Sequence, residues 1–446
     1  MRQGVAVRHP QYGDGVIVDV DSHRGAKVDF GYVATWVPLR DLELPDDVER
    51  SLEETLAPPP PTPAETHLPS LSADVVAARR AVLALKLGQV LEENVHELSV
   101  GTDDVRSEME QAIIAAVRQQ PQSVLVEGSW GSGKTHLLTL LTRLASEHGL
   151  ATAMVILDGE GVTLSEPMGL MEAILGSLRY PGEVAPHGIG SRLADLRRRR
   201  NFADVWQSVG FRIAEAIYRI PLGALDEPDA MEVIEDYFML ALAPTRAREK
   251  LRRLHYRISL PPLKARGLDE RPERFCDLLK GWAGFCALTG AKGLAVVFDE
   301  VDVEYATRFG GLRCSSLLEA FDDLLRESCP ILLAFGSAPA SDDVGDANDA
   351  VRDLAGSING TRRIEAPRPS VEQTKELGVR LQELYARAYP RRTSGVEPQR
   401  VWRRIERFAE HHHDGTLDPA PRGFVRGTLE LLDVMSDLEG NRVDRA

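Results

Sequence analysis

Eight consecutive residues, Gly128-Ser129-Trp130-Gly131-Ser132-Gly133-Lys134-Thr135, set three glycines, a lysine and a hydroxyl in the order G-x-x-x-x-G-K-[ST]. Glycines let the backbone turn so that successive N–H groups face one anion, and the lysine adds a point charge. The apolar run Val124-Leu125-Val126 leads in as a strand. His136-Leu137-Leu138-Thr139-Leu140-Leu141 leads out as a helix whose positive end faces the loop. This chemistry suits a nucleotide: Gly128 through His136 cradle phosphate, Lys134 reaches the β- and γ-phosphates, and the Thr135 hydroxyl ligates Mg2+. ATP and Mg2+ are the expected cofactors.

A second group must meet the first. Leu294-Ala295-Val296-Val297-Phe298 is an apolar strand ending in Asp299 and Glu300, and ligands of open α/β sheets bind at such carboxyl ends. Asp299 is expected to hold Mg2+, and Glu300 to orient and polarise the water that attacks the γ-phosphate. Ser337, closing the strand Ile331–Gly336, is either a γ-phosphate sensor or a turn residue. Arg362 and Arg363 open a last strand, either as arginines projected into a neighbouring subunit's site or as solvated charges. Arg422, in Pro421-Arg422-Gly423-Phe424-Val425-Arg426, either reaches back over the nucleotide with Arg426 one turn later or makes an ordinary helix-start ion pair. His411-His412-His413 lacks ligand spacing for a metal and reads as a solvated run. Arg197-Arg198-Arg199-Arg200 and the six cations from Arg246 to Arg257 read first as solvated faces and second as the lining of a DNA channel.

Short apolar runs alternating with helical stretches position these residues. The strands expected are Ser123–Glu127, Thr152–Asp158, Leu294–Asp299, Ile331–Gly336 and Arg363–Ala366, apolar at consecutive positions as a doubly covered parallel sheet requires. Residues 73–87 and 103–118 read as helices, about 159–292 as a helical insertion, and 371–446 as a helical lid. Before them, period-two runs such as Val16, Val18 and Val20, separated by Tyr12-Gly13-Asp14-Gly15 and His23-Arg24-Gly25, suggest a small barrel over residues 1–46. A linker over 47–71, with Pro58-Pro59-Pro60-Pro61-Thr62-Pro63, separates it from the core, 72–370.

Composition excludes several classes. The 446 residues carry a net charge of −15, with 43% hydrophobic and 27% charged residues, so the chain reads as globular and not as a uniformly basic nucleic-acid coat. No apolar run approaches the ~20 residues of a membrane span, and the first ten residues hold no apolar signal core. The four cysteines, Cys276, Cys286, Cys314 and Cys329, form no C-x-x-C pair, which with the rest suggests a cytoplasmic protein without a disulfide framework or zinc knuckle.

At Arg80-Ala81-Val82-Leu83-Ala84-Leu85-Lys86-Leu87-Gly88, at Gly131 through Leu138, at Phe298-Asp299-Glu300-Val301-Asp302 and at Pro421 through Arg426, the chain resembles the BrxD-like ATP-binding proteins of BREX phage-defence systems. The resemblance covers about residues 75–440. It implies an AAA-like (ASCE) P-loop NTPase with an additional central strand and a helical lid. It also implies ATP hydrolysis, homo-oligomerisation, and work beside other defence proteins, with DNA as a probable partner. The segment Val7-Arg8-His9-Pro10-Gln11-Tyr12-Gly13-Asp14-Gly15 resembles the small Tudor or SH3-like barrels of CarD-type polymerase binders, which dock on proteins. The function expected is a Mg2+-dependent ATPase of a BREX-like system that assembles or remodels a DNA-associated complex. The alternatives are a nucleotide-dependent switch or scaffold, and a transcription-linked adaptor whose barrel docks on a protein.

Overall fold

The structure, a computed structural model, describes residues 6–9, 13–21, 25–29, 34–37, 72–158, 161–183, 188–264, 271–301, 310–338, 358, 360–393, 397–413 and 420–443. The chain divides into two compact units, Met1–Leu71 and Ser72–Ala446.

In the first unit, β1 (Ala6–His9), β2 (Gly13–Asp21), β3 (Gly25–Asp29) and β4 (Ala34–Val37) form an antiparallel meander in sequence order. The register shifts between Ile17 and Asp19, a bulge that swaps faces along β2. Ile17, Val28 and Val37 are buried, while Val18 is exposed. The residues that would close a barrel, and the proline-rich linker, lie outside the described residues.

The second unit is built on five parallel strands, β5 (Gln122–Glu127), β6 (Ala151–Ile156), β7 (Leu294–Asp299), β8 (Ile331–Ser337) and β9 (Arg362–Glu365). Their order is β6-β7-β8-β5-β9. Each strand falls within a residue or two of its expected place. The consecutive apolar positions point alternately to the two faces. Val124, Val126, Ala295, Val297, Leu332 and Ala334 enter one core, with α3 (Asp103–Val117) and α4 (Lys134–Glu147). Leu125, Val296, Phe298, Leu333 and Phe335 enter the other. Every residue of β7 is buried, as for a strand covered on both sides.

The second face is covered by the insertion: α5 (Pro167–Gly176), α6 (Gly190–Arg199), α7 (Phe202–Val209), α8 (Phe211–Arg219), α9 (Leu222–Asp226), α10 (Pro228–Phe238), α11 (Pro244–Arg253) and α12 (Arg271–Leu288). Where α12 crosses α7, a Cβ on Gly284 would run into the Ser208 carbonyl oxygen, so this close approach needs glycine. After β7, α13 (Gly310–Arg326) leads to β8.

A third core forms the lid. It joins α14 (Val371–Ala388), α16 (Pro398–His413) and α17 (Pro421–Val443) to α1 (Ala73–Lys86), far away in sequence, with α15 (Pro390–Thr393) between them. Ser370 and Gln373 cap α14 reciprocally, so two of its four first-turn N–H donors are satisfied locally. A short helix, α2 (Val95–Leu98), lies between the lid and the sheet core. Among the described residues no helix is long and apolar enough to cross a membrane.

Candidate functional site

The loop between β5 and α4 is shaped by its own backbone. The Gly128 N–H donates to the Ser337 carbonyl on β8 (3.2 Å), and the Ser132 N–H closes a turn onto the Ser129 carbonyl (3.1 Å). Gly133 caps α4 in the left-handed region (φ 101°), with no atom within 4 Å of where a Cβ would stand. No side chain caps this helix, so its first N–H groups and positive pole face open space, the arrangement that holds an anion. The Lys134 ammonium lies over the loop, donating to the carbonyls of Gly128 (2.8 Å) and Ser129 (3.4 Å). Within the loop the Ser132 Oγ is buried without a hydrogen-bond partner. A buried hydroxyl left unmet costs about 1–3 kcal/mol, and a polar ligand at this place would meet it.

The carboxyl end of β7 comes to the same place. Asp299, 3% exposed, accepts from the Thr135 hydroxyl at 2.7 Å although 164 residues separate the two. Its other oxygen accepts the Glu300 N–H (2.9 Å). Glu300 is exposed and sits at φ 59°, a left-handed backbone that costs a non-glycine residue about 1–2 kcal/mol. Strain of this kind concentrates where a side chain is held for function. A hydroxyl and a carboxylate side by side are hard oxygen donors of the type Mg2+ takes, so the residues present fit that ion.

Lys134, Thr135, Asp299 and Glu300 line one end of a cavity of about 330 Å³. The other end is apolar: Leu85 of α1, Val90, Leu98 of α2, Leu377 and Leu381 of α14, and Val425 of α17. Motif reasoning missed these wall residues. Their signal was the helical spacing of apolar positions in α1 and the lid, which cannot say what those faces cover. His136 stands between the two ends. Its Nε2 is 2.8 Å from the Ser99 Oγ, whose own proton goes to the Val95 carbonyl (2.7 Å), so the imidazole donates. Burial lowers its pKa from 6.5 to about 4, so the ring is neutral near pH 7.

The lid arginines separate. Arg422 lines the cavity, its guanidinium 4.9 Å from the Trp130 ring centroid and packed over Gly88, and its backbone N–H donates to the Gly131 carbonyl (3.4 Å). Arg426 instead pairs with Glu430 one turn along, at the surface. Ser337 is fully buried between β5 and β7 and gives its hydroxyl proton to the Ala338 carbonyl, off the cavity wall. Arg362 and Arg363 pair in register with Val124 and Leu125, several residues back from the loop, so they do not line this chain's cavity. Arg362 donates to Gln111 (3.2 Å).

The histidine run departs from its expected solvated state. Position 412 of α16 faces the lid core, so His412 is buried and packs 5.6 Å from Phe424, while His413 bonds Thr374 (2.8 Å). Among the described residues no three His, Cys, Asp or Glu side chains gather as a metal site. Cys276, Cys286 and Cys329 are free and buried, and burial raises each thiol's pKa, so none is a ready nucleophile.

Among curated proteins none matches the chain in sequence. A solved structure of the Aeropyrum pernix Orc1 protein in complex with DNA is similar at 15% identity, over 81% of this chain and 65% of that one. The match thus spans a little under two thirds of that protein, at a TM-score of 0.36. Over a shorter stretch, residues 76–175, from α1 through the phosphate loop into α5, the chain is similar to the family described as BREX system ATP-binding protein BrxC/D.

Proposed function

We propose that the chain is a Mg2+-dependent, AAA-like ATPase of a BREX-like anti-phage defence system, whose ATP cycle assembles or remodels a DNA-associated complex. The observation that carries this reading is the 2.7 Å bond from Thr135 to Asp299, which joins the phosphate loop to the acidic strand end across 164 residues. The family match over residues 76–175 and the additional strand β8 between β5 and β7 support it.

In this reading the nucleotide base lies against Leu377, Leu381 and Val425, and its phosphates meet the N–H groups from Ser132 to His136 and the Lys134 ammonium. Thr135 and Asp299 hold Mg2+, which supplies positive charge to the phosphate oxygens. Glu300 orients the attacking water and accepts its proton. Arg422 lies over the phosphates from the lid. Arg362 and Arg363, away from their own chain's cavity, are offered to the neighbouring subunit of a homo-oligomer.

Glu300→Gln tests this. It keeps the side chain's size and removes its basicity, so steady-state ATP turnover should fall roughly 10²- to 10⁴-fold while calorimetric ATP binding stays near wild type. Wild-type turnover in the variant would remove Glu300 from the chemistry. Unchanged biological activity with ATP trapped would make the protein a switch.

A further inference from the structure

Away from the cavity, the insertion concentrates positive charge on a strongly acidic chain. Between Pro244 and Ser259 stand Arg246, Arg248, Lys250, Arg252, Arg253 and Arg257 against one carboxylate, Glu249. Among the described residues Glu249 is already engaged by Arg253 (2.7 Å). Thr245, Arg248, Glu249 and Arg252 share one face of α11, and with Arg257 and Ser259 they line an open groove beside it. Arg248, Arg252 and Arg257 are exposed, and none of them has a described carboxylate partner. Arg248 spends only its Nε, on the Pro244 carbonyl (3.1 Å).

The same insertion carries an aromatic cluster on α7 and α8. Phe202 packs against Trp206 (6.2 Å between ring centroids), Phe211 (6.1 Å) and Tyr218 (5.4 Å), while Trp206 and Phe211 meet edge-on at 5.9 Å. Trp206 and Phe211 remain 49% and 52% exposed. The helix that carries Phe211 and Tyr218 also reaches the groove through its last residue, Arg219, at the end of α8. There Tyr218 carries the Arg197 guanidinium on its face (4.3 Å), and the next residue, Arg219, donates to the Ser259 carbonyl and hydroxyl at 3.0 Å each.

We infer that this face of the insertion binds single-stranded nucleic acid, with phosphates in the groove of Arg248, Arg252 and Arg257 and unpaired bases on Trp206 and Phe211. Guanidinium groups without acidic partners call for a polyanion, and open aromatic rings call for flat apolar groups. A single strand offers both in alternation, whereas a duplex hides its base faces and an acidic peptide lacks them. The inference rests on the DNA-associated part of the proposed function but needs no step of ATP hydrolysis.

The test is fluorescence anisotropy of the full chain with a labelled oligothymidylate of about 30 nucleotides, over about 50 to 200 mM salt. Arg248→Ala/Arg252→Ala/Arg257→Ala should weaken binding at least roughly tenfold and reduce the slope of log affinity against log salt by about 2, near 0.7 per lost contact. Trp206→Ala/Phe211→Ala should weaken it roughly tenfold with the slope unchanged, and should leave a duplex of equal length unaffected. Should the triple variant melt early, Arg252→Glu alone at its exposed position repeats the arginine arm. Wild-type affinity in either variant, or equal weakening on duplex in the aromatic one, overturns the inference. Failure of the wild type to bind any nucleic acid would overturn it together with the DNA part of the proposed function, while ATP turnover would stand apart.

Discussion

At the phosphate end of the cavity, consecutive residues from Trp130 to His136 form one continuous run of the lining, joined by Asp299, Glu300 and Arg422. At the apolar end, a wall is gathered from Leu85, Leu98, Leu377, Leu381 and Val425, on helices from the first to the last of the unit, and from Val90 in the loop after α1. The difference follows from what each end has to hold. An anion needs several N–H groups aimed at one point, which only a contiguous turn and helix start can provide. A flat apolar group needs area without direction, and any packed side chains can provide that. One end is therefore a motif and the other is a consequence of packing.

Three measurements break or sharpen this contrast. Lys134→Ala should act on the phosphate end alone. Hydrogen bonds to charged groups contribute about 1.5–3 kcal/mol each, so losing two costs ATP affinity roughly 10²- to 10⁴-fold by calorimetry, with adenosine binding unchanged. Equal ATP heat in the variant would dissolve the proposed phosphate site.

His136, at the junction, gives the next largest effect. An unfolded chain takes up its proton near pH 6.5, whereas the folded chain resists until about pH 4. Stability is thus complete above pH 6.5 and declines as pH falls toward 4, by about 3 kcal/mol from this group. In denaturant titrations across that window, His136→Gln should flatten the decline by that amount, and an unchanged acid limb would show that the ring is not held neutral. Val425→Ala should have the smallest effect. Removing two methyl groups from the half-buried wall weakens ATP and ADP about three- to tenfold and leaves inorganic triphosphate untouched. A loss for triphosphate as well would mean that the two ends are not separable.

The same contrast explains what was readable in advance. The five strands, the helix after the loop and the character of the insertion follow from periodicity, because each is a local choice of backbone and buried face. The bulge in β2 was not readable, since a register shift depends on the partner strand. Nor was the separate fate of the two lid arginines. Both stand on one helix near the same turn, and only the surroundings send Arg422 to Trp130 and Arg426 to Glu430. The aromatic cluster at Phe202, Trp206, Phe211 and Tyr218 escaped notice because its members are spread over two helices that only the bend at Gly210 brings together.

By itself the sequence determined a strand, a glycine turn and a helix from Val124 to Leu141, together with a carboxylate pair closing an apolar strand, because these depend on neighbouring residues and on backbone geometry. Only the tertiary structure decided that Asp299 meets Thr135, that α1 packs into the lid, that His412 is buried, and that an apolar chamber lies over the loop. Those outcomes depend on which distant surfaces bury each other, and the hydrophobic effect that drives such burial is not directional, so no local pattern encodes it.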